Sequence, residues 1–183
     1  MTIRLVAAMP AAARLTTVEV DAKTFAAAAR IRRVALDAET LRRVDARLGN
    51  ASDVLPGLRG DPFDFVLMDH WKPEYARTLE ALRSGGLLAD GATVVADNVL
   101  FQGAPELLDY LGVPFEAATD AVSGQACLAS AARDGAVFEA AFAGGDAFDT
   151  TLARSPFEYR PETPDALSVS TYRRRRRLTP PPS

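Results

Sequence analysis

Polar breaks divide the apolar positions of this chain into short runs with two different periods. Thr16, Thr17, Val18 and Val20 make a β-branched run, so Arg14 to Val20 is predicted as a strand with the acidic Glu19 near its end. Asp21 then offers an N-cap to an alanine-rich helix over Ala22 to Val34. Val44 to Leu48 is a short strand closed by Gly49-Asn50, and Ser52-Asp53 open a brief helical turn that Gly57 and Gly60 end. Phe63 to Met68 is apolar on both faces apart from Asp64, the pattern of a parallel strand covered by helices. Pro73 opens the next helix in its first turn and Gly85-Gly86 ends it. Thr93 to Ala96 reads as another buried strand, stopping at Asp97-Asn98, and Pro105 to Leu111 reads as a helix. Strand and helix alternate, which predicts an α/β protein with a doubly wound sheet.

The rest of the chain is less regular. Gly112 to Asp146 is rich in Ala and Gly and is expected to be an insertion or a loop-helix excursion. Ala147 to Leu152 and Leu167 to Tyr172 alternate, and are expected to pair as antiparallel edge strands through Ser155-Pro156-Phe157-Glu158-Tyr159. Met1 to Ala13 is apolar behind Arg4, but it runs straight into the first strand and reads as a helix end instead of a leader peptide. No run of eighteen apolar residues is present, so no membrane-spanning helix is expected.

Charge and composition narrow the function classes. With 183 residues, 48% hydrophobic and 25% charged, the chain has a globular composition sized for one domain. The net charge of −3 conceals the consecutive Arg173 to Arg177; without them 16 basic residues face 24 acidic ones. An acidic body is a poor nucleic-acid binder, because phosphates must be neutralised by a basic face. Residues 173–183, the arginine run with its Pro-rich end, are expected to form a disordered, solvated tail. Cys127 is the only cysteine, which excludes an internal disulfide and a cysteine-based zinc site.

Chemistry is expected where ligands bind in open α/β sheets, outside the carboxyl ends of the strands. Three strands end there in polar residues: Glu19, Asp69 and Asp97-Asn98. Glu19 has either a ribose-binding or a merely solvated reading. Asp69, Asp97 and Asn98 together make a hard-oxygen set suited to Mg²⁺, although separately Asp69 reads as a cap for the helix near Pro73 and Asp97-Asn98 as a turn. Lys72 tips the balance. It and Lys23 are the only lysines, and Lys72 stands beside the only histidine and only tryptophan, His70 and Trp71. A lysine close to a dication has its ammonium form disfavoured and can act as a base, which arginine cannot do.

These residues carry a family resemblance. Asp69-His70-Trp71-Lys72, Tyr75, Gly86-Leu87-Leu88, Ala96-Asp97-Asn98-Val99 and Gly103-Ala104-Pro105 resemble catechol O-methyltransferases in order and spacing. Looser similarity extends to the segment around Glu19, to Asn50-Ala51-Ser52 and to Ser155 through Tyr159. The resemblance implies a Rossmann-like methyltransferase that moves a methyl group from S-adenosylmethionine to a catechol hydroxyl with Mg²⁺. Asp69, Asp97 and Asn98 would bind the metal, Lys72 would take the hydroxyl proton, and Glu158 would hold the second hydroxyl. Glu19 would hold the cofactor ribose and Ser52 the adenine edge, with Asp69, His70 and Trp71 along the cofactor and pocket wall. A monomeric cytoplasmic enzyme acting on a small molecule is expected.

The departures from the family are equally specific. The family's first central strand and the glycine-rich cofactor loop after it have no match, since the first glycine is Gly49. Residues 1–172 are therefore expected to be a catechol O-methyltransferase-like domain incomplete at its N-terminus, with residues 112–146 inserted. The alternative is a non-catalytic relic or scaffold that kept the sheet and lost cofactor binding.

Overall fold

In the computed structural model, which describes residues 1–101, 103–115, 139–145, 147–154, 163 and 165–174, the chain falls into two units, Met1–Arg59 and Gly60–Ser183. The first holds α1 (Thr2–Ala8), β1 (Leu15–Glu19), α2 (Ala22–Ala35), α3 (Ala38–Arg42), β2 (Val44–Leu48) and α4 (Ala51–Val54). Asp21 caps α2 as its position predicts, accepting from the Thr24 amide at 2.7 Å. β1 and β2 pair in parallel from Leu15↔Val44 to Glu19↔Leu48. A parallel pair needs a crossover, which α2 and α3 supply. Arg43 ties this unit together, donating from Nε to the Ala13 carbonyl at 3.2 Å and from Nη2 to the Val6 carbonyl at 3.1 Å. The apolar residues buried in this unit are Val6 and Leu55.

The second unit holds β3 (Phe63–Met68), α5 (Tyr75–Ser84), β4 (Leu88–Ala96), α6 (Pro105–Tyr110), β5 (Glu139–Gly145), β6 (Phe148–Arg154) and β7 (Ala166–Tyr172). Its sheet has the order β3-β4-β7-β6-β5. β3 and β4 are parallel across α5, and the other pairs are antiparallel. Tyr75, Thr78, Leu79 and Leu82 fall on one face of α5 at i, i+3, i+4 and i+7, and all are buried. Leu88, Val94 and Ala96 from β4, and Leu107 and Leu108 from α6, are buried in the same core. Gly85-Gly86 ends α5 as expected: Gly86 takes φ +67°, and the Leu87 amide reaches back to the Leu82 carbonyl at 2.9 Å.

Three expectations change. β4 is longer than Thr93–Ala96, because the register with β3 shifts between Phe63 and Phe65 and the segment around Asp90-Gly91 bulges, which hides its first half from a period-two reading. β6 and β7 do pair antiparallel, but β7 is not an edge strand: it lies between β4 and β6. The outer place goes to β5, which a run of Ala, Phe and Gly did not announce. Residues 116–138, most of the expected insertion, lie outside the described residues, as do residues 175–183. Arg173 starts the arginine run against the sheet, its amide donating to the Ala147 carbonyl at 2.7 Å and its side chain pairing with Asp149 at 2.8 Å.

Candidate active site

The β3–β4 register assembles the site. Met68 pairs with Ala96, and the Asp97 amide donates to the Met68 carbonyl at 3.1 Å, so Asp69 and Asp97 follow at the carboxyl ends of adjacent parallel strands. Asp69 does not cap the following helix: the cap positions of the 3-10 turn Lys72–Glu74 and of α5 carry no side-chain cap bond. Its carboxylate instead lies 3.7 Å from the Lys72 ammonium, which is 15% exposed. Lys72 also donates to the Tyr75 hydroxyl at 3.0 Å, and that hydroxyl donates to the Asp97 carbonyl at 3.2 Å. Lys72 is thus held between the two strand ends by a buried phenol.

The loop after β4 is a turn of unusual geometry. Asn98 takes φ +54°, a left-handed conformation that asparagine tolerates better than most residues. Its amide N–H donates to Asp97 Oδ1 at 2.9 Å, and its side-chain Nδ2 donates to Asp165 at 2.7 Å. Burial pushes the Asp97 carboxyl above its ordinary range; the Asn98 amide opposes that shift, and the Asp69 carboxylate reinforces it. Burial likewise raises Tyr75, with Asp69, Asp97 and Asp165 adding to it.

Among the described residues, no three His, Cys, Asp or Glu side chains cluster as a metal site. The candidate set is two carboxylates and an amide oxygen. The Asp69 carboxylate raises the Asp97 carboxyl and the Lys72 ammonium opposes it, and oxygen donors of this kind fit a hard cation that keeps other ligands for itself.

His70 faces α5. Its Nε2 lies 3.1 Å from Thr78 Oγ1 and its ring packs 4.8 Å from that of Tyr75, with burial holding the imidazole below its ordinary range. Trp71 is 72% exposed. In the first unit, Glu19 Oε1 accepts from the Asp21 amide at 2.8 Å, and Ser52 Oγ donates to Asn50 Oδ1 at 3.1 Å. Glu158 lies outside the described residues. Sequence reasoning gave Tyr75 no role and missed Asp165, which sits in a Pro-rich stretch ahead of β7 and reads there as a turn residue.

Within each unit a pair of parallel strands is joined by a helical crossover and ends in polar residues, which defines a Rossmann-like α/β protein. Residues 2–109 match the O-methyltransferase family, and the chain belongs to that family. It is 40% identical over 113 residues to the transmembrane O-methyltransferase homolog of Mus musculus, covering 60% of this chain and 43% of that protein. It is 34% identical over 114 residues to the catechol O-methyltransferase of Mus musculus, covering 60% of this chain and 42% of that protein. The resemblance to catechol O-methyltransferases is borne out, and the chain spans less than half the length of these relatives. The fold matches an O-methyltransferase from Bacillus cereus solved with SAH at TM-score 0.63 and 18% identity, covering 94% of this chain and 68% of that one. It also matches a Streptomyces achromogenes O-methyltransferase of tomaymycin synthesis solved with SAM, at TM-score 0.64 and 21% identity, covering 94% of this chain and 67% of that one. Among the described residues no helix is long and apolar enough to cross a membrane.

Proposed function

We propose that the chain supplies the metal and proton-transfer side of an O-methyltransferase that moves a methyl group from S-adenosylmethionine to a catechol oxygen. The observation that carries this reading is the convergence of Asp69, Lys72 and the Asp97-Asn98 turn at the ends of β3 and β4. Asp69, Asp97 and Asn98 offer the oxygen donors for Mg²⁺, which when bound would hold the catechol and make its hydroxyl more acidic. Lys72 is the base for that proton, with Tyr75 and Asp69 fixing the position of its ammonium group. Glu158 is assigned to the second hydroxyl, which selects the oxygen that reacts. Glu19 and Ser52 are assigned to the cofactor ribose and adenine, and His70 and Trp71 to the cofactor side and pocket wall. Family membership and the two cofactor-bound fold neighbours support the methyl donor; the mouse catechol O-methyltransferase supports the acceptor.

Two measurements test the proposal. Titration with Mn²⁺ as a paramagnetic stand-in for Mg²⁺ should give saturable binding that Asp97→Asn weakens by about tenfold or more. Methyl transfer from labelled S-adenosylmethionine to a simple catechol should require the metal. Metal binding with no cofactor binding would favour the scaffold alternative. The expected cytoplasmic location and monomeric state are tested by cell fractionation and by size-exclusion chromatography; the name of the first mouse relative makes membrane attachment the competing outcome.

A further inference from the structure

Asp165 is fully buried and belongs to no role assigned above. Its Oδ1 accepts from the backbone amides of Leu100, Phe101 and Ala166 at 3.2, 3.0 and 2.8 Å, and its Oδ2 accepts from Asn98 Nδ2 at 2.7 Å. A buried carboxylate needs such donors, and these four come from the start of β7 and from the loop after β4. One side chain thus ties the loop that follows Asp97 to a strand far along the chain.

The bond to Asn98 has a chemical consequence. A carboxylate can only accept, so it selects the NH₂ end of the Asn98 amide and turns the oxygen away from itself. Without that partner the amide could present either end, and an NH₂ group repels a cation. We propose that Asp165 is a positioning residue: it holds Asn98 in its left-handed conformation and orients the amide so that its oxygen, not its nitrogen, is offered as a metal donor. This rests on the metal reading above, and it goes further by naming the group that makes asparagine a usable ligand. Such outer partners of metal ligands typically change affinity by about 10–100-fold when altered.

Asp165→Asn tests it with little change of shape. The new amide keeps one oxygen for the three backbone amides but meets Asn98 with a second NH₂ group, so Asn98 must turn over. We expect two effects in the 183-residue chain. The Asn98 side-chain NH₂ resonance, shifted downfield and slow to exchange in the parent without metal, should lose both properties. Mn²⁺ affinity, followed by electron paramagnetic resonance, should fall by about tenfold or more. Adding Asn98→Asp should raise affinity in the Asp165→Asn background, where a carboxylate again meets an amide, and not in the parent, where two carboxylates would face each other. A general structural role for Asp165 does not produce that reversal. Unchanged Mn²⁺ affinity in a folded Asp165→Asn variant overturns the proposal. So does an ordinary, freely exchanging Asn98 amide in the parent, whether or not the variant folds. A parent that binds no Mn²⁺ but whose shifted Asn98 resonance vanishes in the variant overturns the metal reading and supports the orientation by Asp165.

Discussion

The hydroxyl of Tyr75 donates to the backbone carbonyl of Asp97 at 3.2 Å, which ties the first turn of α5 to the end of β4 through the chemistry-bearing edge of the sheet. Tyr75 is fully buried, and the same oxygen accepts from Lys72 at 3.0 Å. Tyr75→Phe keeps the ring and removes both bonds. Urea denaturation should record a loss of about 1–3 kcal/mol, since the donor is removed from a partly buried carbonyl and the acceptor from a nearly buried ammonium. A loss below about 0.5 kcal/mol would mean that water replaces the hydroxyl at little cost.

Lys72→Arg retains the positive charge next to Asp69 but removes the ability to give up a proton near neutral pH. In any form of the protein that transfers methyl groups, turnover should fall by on the order of 10²-fold or more. Near-normal turnover at neutral pH would take Lys72 out of the mechanism.

Glu80 makes stability depend on acidity away from the site. The Tyr110 hydroxyl donates to it, Arg83 pairs with it at 2.8 Å, and together they hold its carboxyl below the ordinary value of 4.5. A carboxyl depressed by folding stabilises the native state above its unfolded pKa, and that contribution is lost as pH falls through the lower folded value. Glu80 is about two-fifths exposed, so solvent screening limits the effect to about 1 kcal/mol or less. Glu80→Gln should be less stable than the parent at pH 7, with the gap narrowing as pH falls below 4.5; a gap that stays constant with pH would refute the linkage.

β3 has one strand neighbour among the described residues, β4, and Phe65 on it is 45% exposed. An open edge carrying an exposed aromatic invites pairing with another chain. Phe65→Lys should reduce aggregation, measured as light scattering during slow heating, while lowering stability by no more than about 1 kcal/mol. Unchanged scattering would place the aggregating surface elsewhere.

Much of the fold could be read without coordinates, because its signals are local. The β-branched run before Glu19, the two-faced apolar run of Phe63–Met68, the Asp21 cap and the Gly85-Gly86 stop all act within a few residues of themselves. The ends of β3 and β4 were legible for the same reason: each is a polar interruption of an apolar run. β5 was not, since its small residues carry little strand preference of their own and it gains its place by pairing with β6.

The site divides along the same line. Residue type alone made Asp69, Lys72, Asp97 and Asn98 candidates, but whether Asp69 would cap a helix or meet Lys72 depended on how β3 leads into α5. The role of Asp165 was out of reach of any local pattern. Its partner Asn98 is 67 residues away, and the two meet only because β7 inserts beside β4 instead of lying at the edge of the sheet. Local sequence sets backbone preference and the chemistry each side chain can offer. Which buried donor meets which buried acceptor is decided by strand order, because a polar group removed from water bonds to whatever the completed sheet brings within reach.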